Sequence, residues 1–167
     1  MMAVSAPFTA MATLAALTIT AAIVDLRRMY IPDLVNLAIL VGGGIASVTL
    51  SVVEPLSALT GAVFGGALLW AVRLGFRHYR GYDGLGFGDV KFVAAASAWT
   101  GLEGVSPALV IACLVALACV SARRIATSDF DPTRPMPFAP ALGAGFFAVA
   151  AAQLMSGRPL LDLLLPA

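Results

Sequence analysis

"GLGFGDVKFVAAASAWT", residues 84–100, decides how this chain is to be read. It sets Asp89 between glycines and a lysine, at the mouth of an apolar run. The eleven residues 90–100 reach only about 16 Å at the helical rise, roughly half of a bilayer's hydrocarbon core. The run is therefore a partial crossing or a full one that recruits its neighbours. If it recruits "GLGFGD", Asp89 lies below the membrane surface.

The rest of the chain shows why a bilayer is the right yardstick. Of 167 residues, 60% are hydrophobic and 11% charged, with a mean hydropathy of +0.97, against about 25% charged residues in a soluble domain. Beside residues 90–99, apolar runs cover 7–24, 31–53, 56–74, 105–122 and 138–155. At roughly 20 residues per crossing the expected fold is an all-α, six-span helical bundle, with residues 1–167 forming a single membrane domain.

Basic residues set the expected orientation. Nine of the ten Lys and Arg fall in alternate loops: Arg27 and Arg28, then Arg73, Arg77, Arg80 and Lys91, then Arg123, Arg124 and Arg134. The positive-inside rule makes those loops cytoplasmic and puts both termini on the outer, periplasmic side. The first apolar stretch has no basic residue before it, so it reads as a retained span and not as a cleaved signal peptide.

Several chemistries find no residues. Cys113 and Cys119 lie six apart and point in different directions on a helix, and His78 is the single histidine. Neither makes a metal-ligand spacing, and no Ser/His/Asp relay can be assembled. No metal or other cofactor and no nucleic-acid partner is expected. The glycines of "GAVFGG" (61–66) suit close helix packing. "GGG" (42–44) reads as packing or as a hinge interrupting the second span.

The acids remain. Glu54, Glu103 and Asp162 fall on the expected outer side; Asp25, Asp33, Asp83, Asp89, Asp129 and Asp131 fall on the cytoplasmic side. Pro32 and Asp33 read as a helix start, with proline at the first helical position and an acid in the first turn. Asp83, Asp129 and Asp131 read as turn residues. Asp89 suits an N-cap equally well as a functional role. Asp25 is harder to place structurally, because it closes the first span at the negative end of the helix dipole unless Arg28 or another group compensates. Two carboxylates brought together can share a proton, one accepting from water while the other donates to a carbonyl, as in aspartic proteases. Gly86 and Gly88 would let a bound peptide approach closely. Lys91 is placed to act on the Asp89 charge or to anchor at the interface.

These residues also resemble a family. "GFGD" with "VKF" is similar to the GxGD motif of type IV prepilin peptidases, and Asp25 followed by "IPD" (31–33) resembles that family's first motif. "PMPFAPAL" (135–142), with Pro137, Phe138 and Pro140, is similar to its Pro-Phe-Gly-Pro segment. The resemblance implies an aspartic endopeptidase of the bacterial inner membrane, its site facing the cytoplasm, with Asp25 and Asp89 as the catalytic pair. Pro32, Asp33, Gly86, Gly88, Lys91, Pro137, Phe138 and Pro140 would support or bind the substrate. That substrate would be a prepilin or pseudopilin precursor with a short basic leader; a homodimer is compatible with the sequence.

No cysteine-bearing segment separates the first spans, which resembles the short peptidases of Flp or Tad pilus systems, so the resemblance does not extend to the N-methyltransferase activity of longer members. Asp33 stands where Asn is common and Ala139 where Gly is usual, and neither departure is expected to touch the pair. An ion-coupled transporter and a non-catalytic assembly scaffold remain as alternatives. A transporter would carry its acids within repeated halves, and "DLRRMYIPD" and "GFGDVKF" share no such pattern.

Overall fold

The computed structural model describes residues 2–126 and 136–160, with side chains from residue 6 onward. The described residues form five helices and no strand: α1 (Met2–Arg28), α2 (Asp33–Leu50), α3 (Pro55–Arg80), α4 (Phe87–Ala126) and α5 (Ala139–Ser156). Each is long and apolar enough to cross a membrane. Asp129, Asp131, Arg134 and Asp162 lie outside the described residues.

Six separate helices were expected, and five are found among the described residues. The difference lies in α4, whose 40 residues join the fourth and fifth apolar runs. A straight helix of that length would reach about 60 Å, twice the hydrocarbon thickness. It is not straight: Gly101 leaves helical geometry at φ 67°, ψ −179°. Before that point α4 rises beside α5 in the same sense, with Phe92 near Gly143 and the Thr100 carbonyl accepting the Gln153 amide at 3.2 Å. After it the sense reverses, with Gly104 near Val149 and Ala112 near Gly145. The chain doubles back at Gly101.

That residue can only be small and left-handed. A Cβ there would meet Ser57 Oγ at 2.6 Å and Val53 Cγ1 at 2.9 Å, and the positive φ disfavours any side chain. Ser57 uses the same approach to accept the Leu102 N–H at 3.1 Å, satisfying a donor freed by the break.

The first half of α4 is the centre of the bundle. Phe92, Val93, Ala96 and Ser97 are fully buried. Against them, α3 presents Gly65 to Ser97 and Val93. From α2, Gly42 and Gly43 lie on Trp99 and Ala98, and Trp99 donates its indole N–H to the Ile39 carbonyl at 2.7 Å. Small residues let these backbones approach closely where no hydrophobic force separates protein from lipid. Gly42 and Gly43 of the "GGG" stretch are therefore packing residues, while Gly44 meets nothing within 4 Å; α2 runs unbroken through all three. The periphery is apolar, with Val48, Val63 and Leu114 exposed, as an outer surface in hydrocarbon requires.

One end of the bundle collects the charge. The last turn of α1, the start of α2, the last turn of α3 and the starts of α4 and α5 meet there through Asp25 with Ala139, Ile31 with Gly88, and Lys91 with Asp33.

Candidate active site

Asp25 is only 6% exposed although it carries a carboxylate. Its Oδ2 accepts the backbone N–H of Ala139 at 3.1 Å. Ala139 is the first residue of α5 and fully buried; its N–H has no partner within its own helix. The positive end of α5 thus meets a carboxylate that sits at the negative end of α1, which is the compensation that position requires. Arg28 does not supply it: Arg27 and Arg28 are exposed, and the ion pairs among the described residues include neither.

The "PFAP" segment exists to start α5 at that spot. The Phe138 carbonyl accepts the N–H groups of Ala141 and Leu142, both at 3.1 Å, and Pro140 occupies the first turn, where a missing N–H costs nothing. Pro137 and Phe138 are half-buried just before it. Position 139 contacts Asp25 directly, but through its backbone N–H, which glycine would offer equally.

Asp89 is the third residue of α4, because the helix begins at Phe87 and recruits "FGD". It is not an N-cap. Its N–H bonds the Gly86 carbonyl at 3.2 Å, its side chain is half-buried, and the Asp25 carboxylate lies within electrostatic range. The two glycines differ in what they do. A Cβ on Gly86 would stand 3.0 Å from Asp89 Oδ2, so glycine leaves that carboxylate room. Gly88 packs on Ile31 of the α1–α2 turn.

Lys91 contacts neither acid of the pair. Its Nζ lies 2.7 Å from Asp33 Oδ1 and 5.1 Å from the centre of the Phe87 ring. Asp33 is the first residue of α2, and Pro32 is its N-cap and not its first helical residue. The Pro32 carbonyl accepts from Val35 and Asn36 at 3.0 and 3.3 Å.

Asp83 is more than a turn residue: Arg73 bonds it at 2.8 Å and Arg77 stands at 4.0 Å. The Arg73 hydrogen bond, aided by the charges of both arginines, holds its carboxyl below the ordinary value of 3.8 against a smaller opposing effect of burial. This clip ties the 81–86 loop, and so the entry to Asp89, to α3.

Sequence reading misses two groups. One is the Ala139 N–H, which no side-chain pattern can reveal. The other is Asn36, the chain's one asparagine, buried at 6% exposure with both amide atoms unpartnered. A lone amide in an apolar run is its signal. Among the described residues no cluster of His, Cys, Asp and Glu could hold a metal ion.

The sequence profile of the type IV leader peptidase family matches residues 12–121, which include Asp25 and Asp89. A prepilin leader peptidase/N-methyltransferase of Escherichia coli K12 is 34% identical over 138 residues, covering 76% of this chain and 61% of that protein. Proteins of the same description from Aeromonas hydrophila and Xanthomonas campestris are 34% and 33% identical, covering 82% and 75% of this chain but only 49% and 44% of their own lengths. The chain thus spans about half the length of these last two relatives. No solved structure matches. With its acids and its glycine approach inside the matched region, the chain belongs to the type IV leader peptidase family.

Proposed function

We propose that this protein is a membrane-embedded aspartic endopeptidase that removes the leader from a type IV prepilin or pseudopilin precursor. The observation that carries the reading is the convergence of three separated motifs, at residues 25, 89 and 139, on one end of the bundle. Asp25 and Asp89 are its catalytic pair. One takes a proton from a water molecule as that water attacks the scissile carbonyl, and the other gives a proton to the carbonyl oxygen; collapse of the tetrahedral species returns a proton to the leaving amine. The Ala139 N–H holds one oxygen of Asp25, leaving the other free to face the water. The pair titrates in two macroscopic steps that belong to both groups.

The chain crosses the bacterial inner membrane six times, with both termini periplasmic. Reversal at Gly101 supports the count, and the gathering of basic residues at the end bearing the pair supports a cytoplasmic site. Only residues 29–32 link α1 to α2, which favours a short, Flp-type enzyme. Co-expression with a precursor carrying a basic leader, read by mobility shift, tests the activity. A transporter or a scaffold would leave the precursor intact.

A further inference from the structure

Phe87 is the first residue of α4 and the one side chain between Gly86 and Gly88. At 49% exposure, burial is a weak reason for an aromatic ring there. Two cations give a stronger one. Arg73 Cζ stands over the ring at 5.3 Å from its centroid and Lys91 Nζ at 5.1 Å, both inside the roughly 6 Å at which an aromatic face attracts a cation.

Each cation is held in turn by a carboxylate from another segment. Arg73 of α3 bonds Asp83 of the 81–86 loop at 2.8 Å, and Lys91 bonds Asp33 of α2 at 2.7 Å. The Arg73 side chain is only 21% exposed, so little water competes with the ring for its charge. Asp83, Arg73, Phe87, Lys91 and Asp33 thus form one chain that ties the start of α4 both to α3 and to α2. The loop ahead of it is tied to α3 as well: Tyr82 meets Phe76 edge to face with ring centroids 5.5 Å apart, and Gly84 lies against the Phe76 ring.

Helical spacing shows what this chain controls. Phe87 and Lys91 are one turn apart and share a face, whereas Asp89, midway between them, projects about 200° from each. The cations therefore grip the back of the turn whose front carries Asp89, and the ion pairs among the described residues do not include its carboxylate. Gly86 and Gly88 add backbone freedom and no side chain to hold that turn. Resting on the peptidase reading, we propose that Phe87 is a positioning residue: its ring, drawn by Arg73 and Lys91, fixes the rotation of the first turn of α4 and so presents Asp89 to Asp25. It takes no part in proton transfer and acts through the helix.

Steady-state cleavage of a precursor by the full chain in bilayer discs tests this, comparing wild type with Phe87→Leu and Phe87→Trp. Leucine keeps an apolar side chain and favours the helix but has no π face; tryptophan keeps the face and attracts cations best. Phe87→Leu should lower kcat at least fivefold with KM within twofold and Tm close to wild type, and Phe87→Trp should hold kcat within twofold of wild type. An unchanged kcat in Phe87→Leu, a loss confined to KM, a loss that merely follows a large fall in Tm, or a tryptophan variant as slow as the leucine one overturns the proposal. Hydrogen exchange at the amides of residues 89–92, without substrate, gives a readout independent of turnover. It should be at least tenfold faster in Phe87→Leu than in wild type or Phe87→Trp; equal exchange in all three overturns the proposal. Failure of wild type to cleave the precursor would refute the peptidase reading instead, and the exchange rates would then decide by themselves whether Phe87 fixes the turn that carries Asp89.

Discussion

The Asp25 carboxylate receives the backbone N–H of Ala139 across 114 positions of sequence, at 3.1 Å. That single bond ties the last turn of α1 to the first turn of α5. It makes the third motif a support for the first, and it locates the stringency of position 139 in space and not in chemistry, since every residue but proline carries the N–H.

Ala139→Gly should accordingly retain cleavage within about threefold, since the donor is kept and little volume is lost. Ala139→Leu should overpack a fully buried site, cost about 1–3 kcal/mol, and lower the cleavage rate by displacing Asp25. Thermal unfolding in detergent and initial cleavage rates check both.

Gly101 should tolerate no side chain. Gly101→Ala forces an alanine into a positive-φ extended conformation that essentially only glycine adopts, at about 1–3 kcal/mol, in addition to the contacts with Ser57 and Val53, and should lower Tm markedly. Gly44→Ala is the contrast: the added Cβ meets nothing within 4 Å and the helix continues through it. Stability there should rise by about 0.5–1 kcal/mol.

The Asp33–Lys91 pair should contribute little stability despite its short distance, because its side chains are 66% and 39% exposed. A double-mutant cycle of Asp33→Asn and Lys91→Ala should return a coupling of about 0.2–1 kcal/mol, smaller at high salt.

The Asp83 clip should respond to acid. Its carboxyl titrates below 3.8 in the folded protein, so the folded state binds fewer protons there than the unfolded state as pH falls. The contribution is present above 3.8 and is lost as pH drops through the lower folded value. Limited proteolysis with an acid-stable protease should show the 81–86 loop protected near pH 4 to 5 and cut faster towards pH 2. Asp83→Asn should be cut fast throughout.

Much of this architecture is legible in the sequence. Apolar runs locate the helices within a few residues, because lipid demands continuous hydrophobic length, and Asp25 is conspicuous because a carboxylate at a helix C-terminus needs an external partner. The break at Gly101 falls in the gap between the apolar runs 90–99 and 105–122; that the two arms meet there with no longer loop between them is decided by tertiary contacts. Partners carried by backbone, as at Ala139, leave no trace in side-chain identity. A role for Lys91 on the Asp89 charge fails because proximity in sequence says nothing of direction: two residues along a helix turn the side chain about 200° away.

The central claim is that Asp25 and Asp89 act together as the peptide-cleaving pair, and the cleavage rate of Asp25→Asn and Asp89→Asn tests it most directly. Each variant, folded and membrane-inserted, should cleave a precursor at least about a thousandfold more slowly than wild type, and the double variant should be scarcely worse than either single one, because the two act as a unit. Substantial cleavage by either single variant would contradict the pairing.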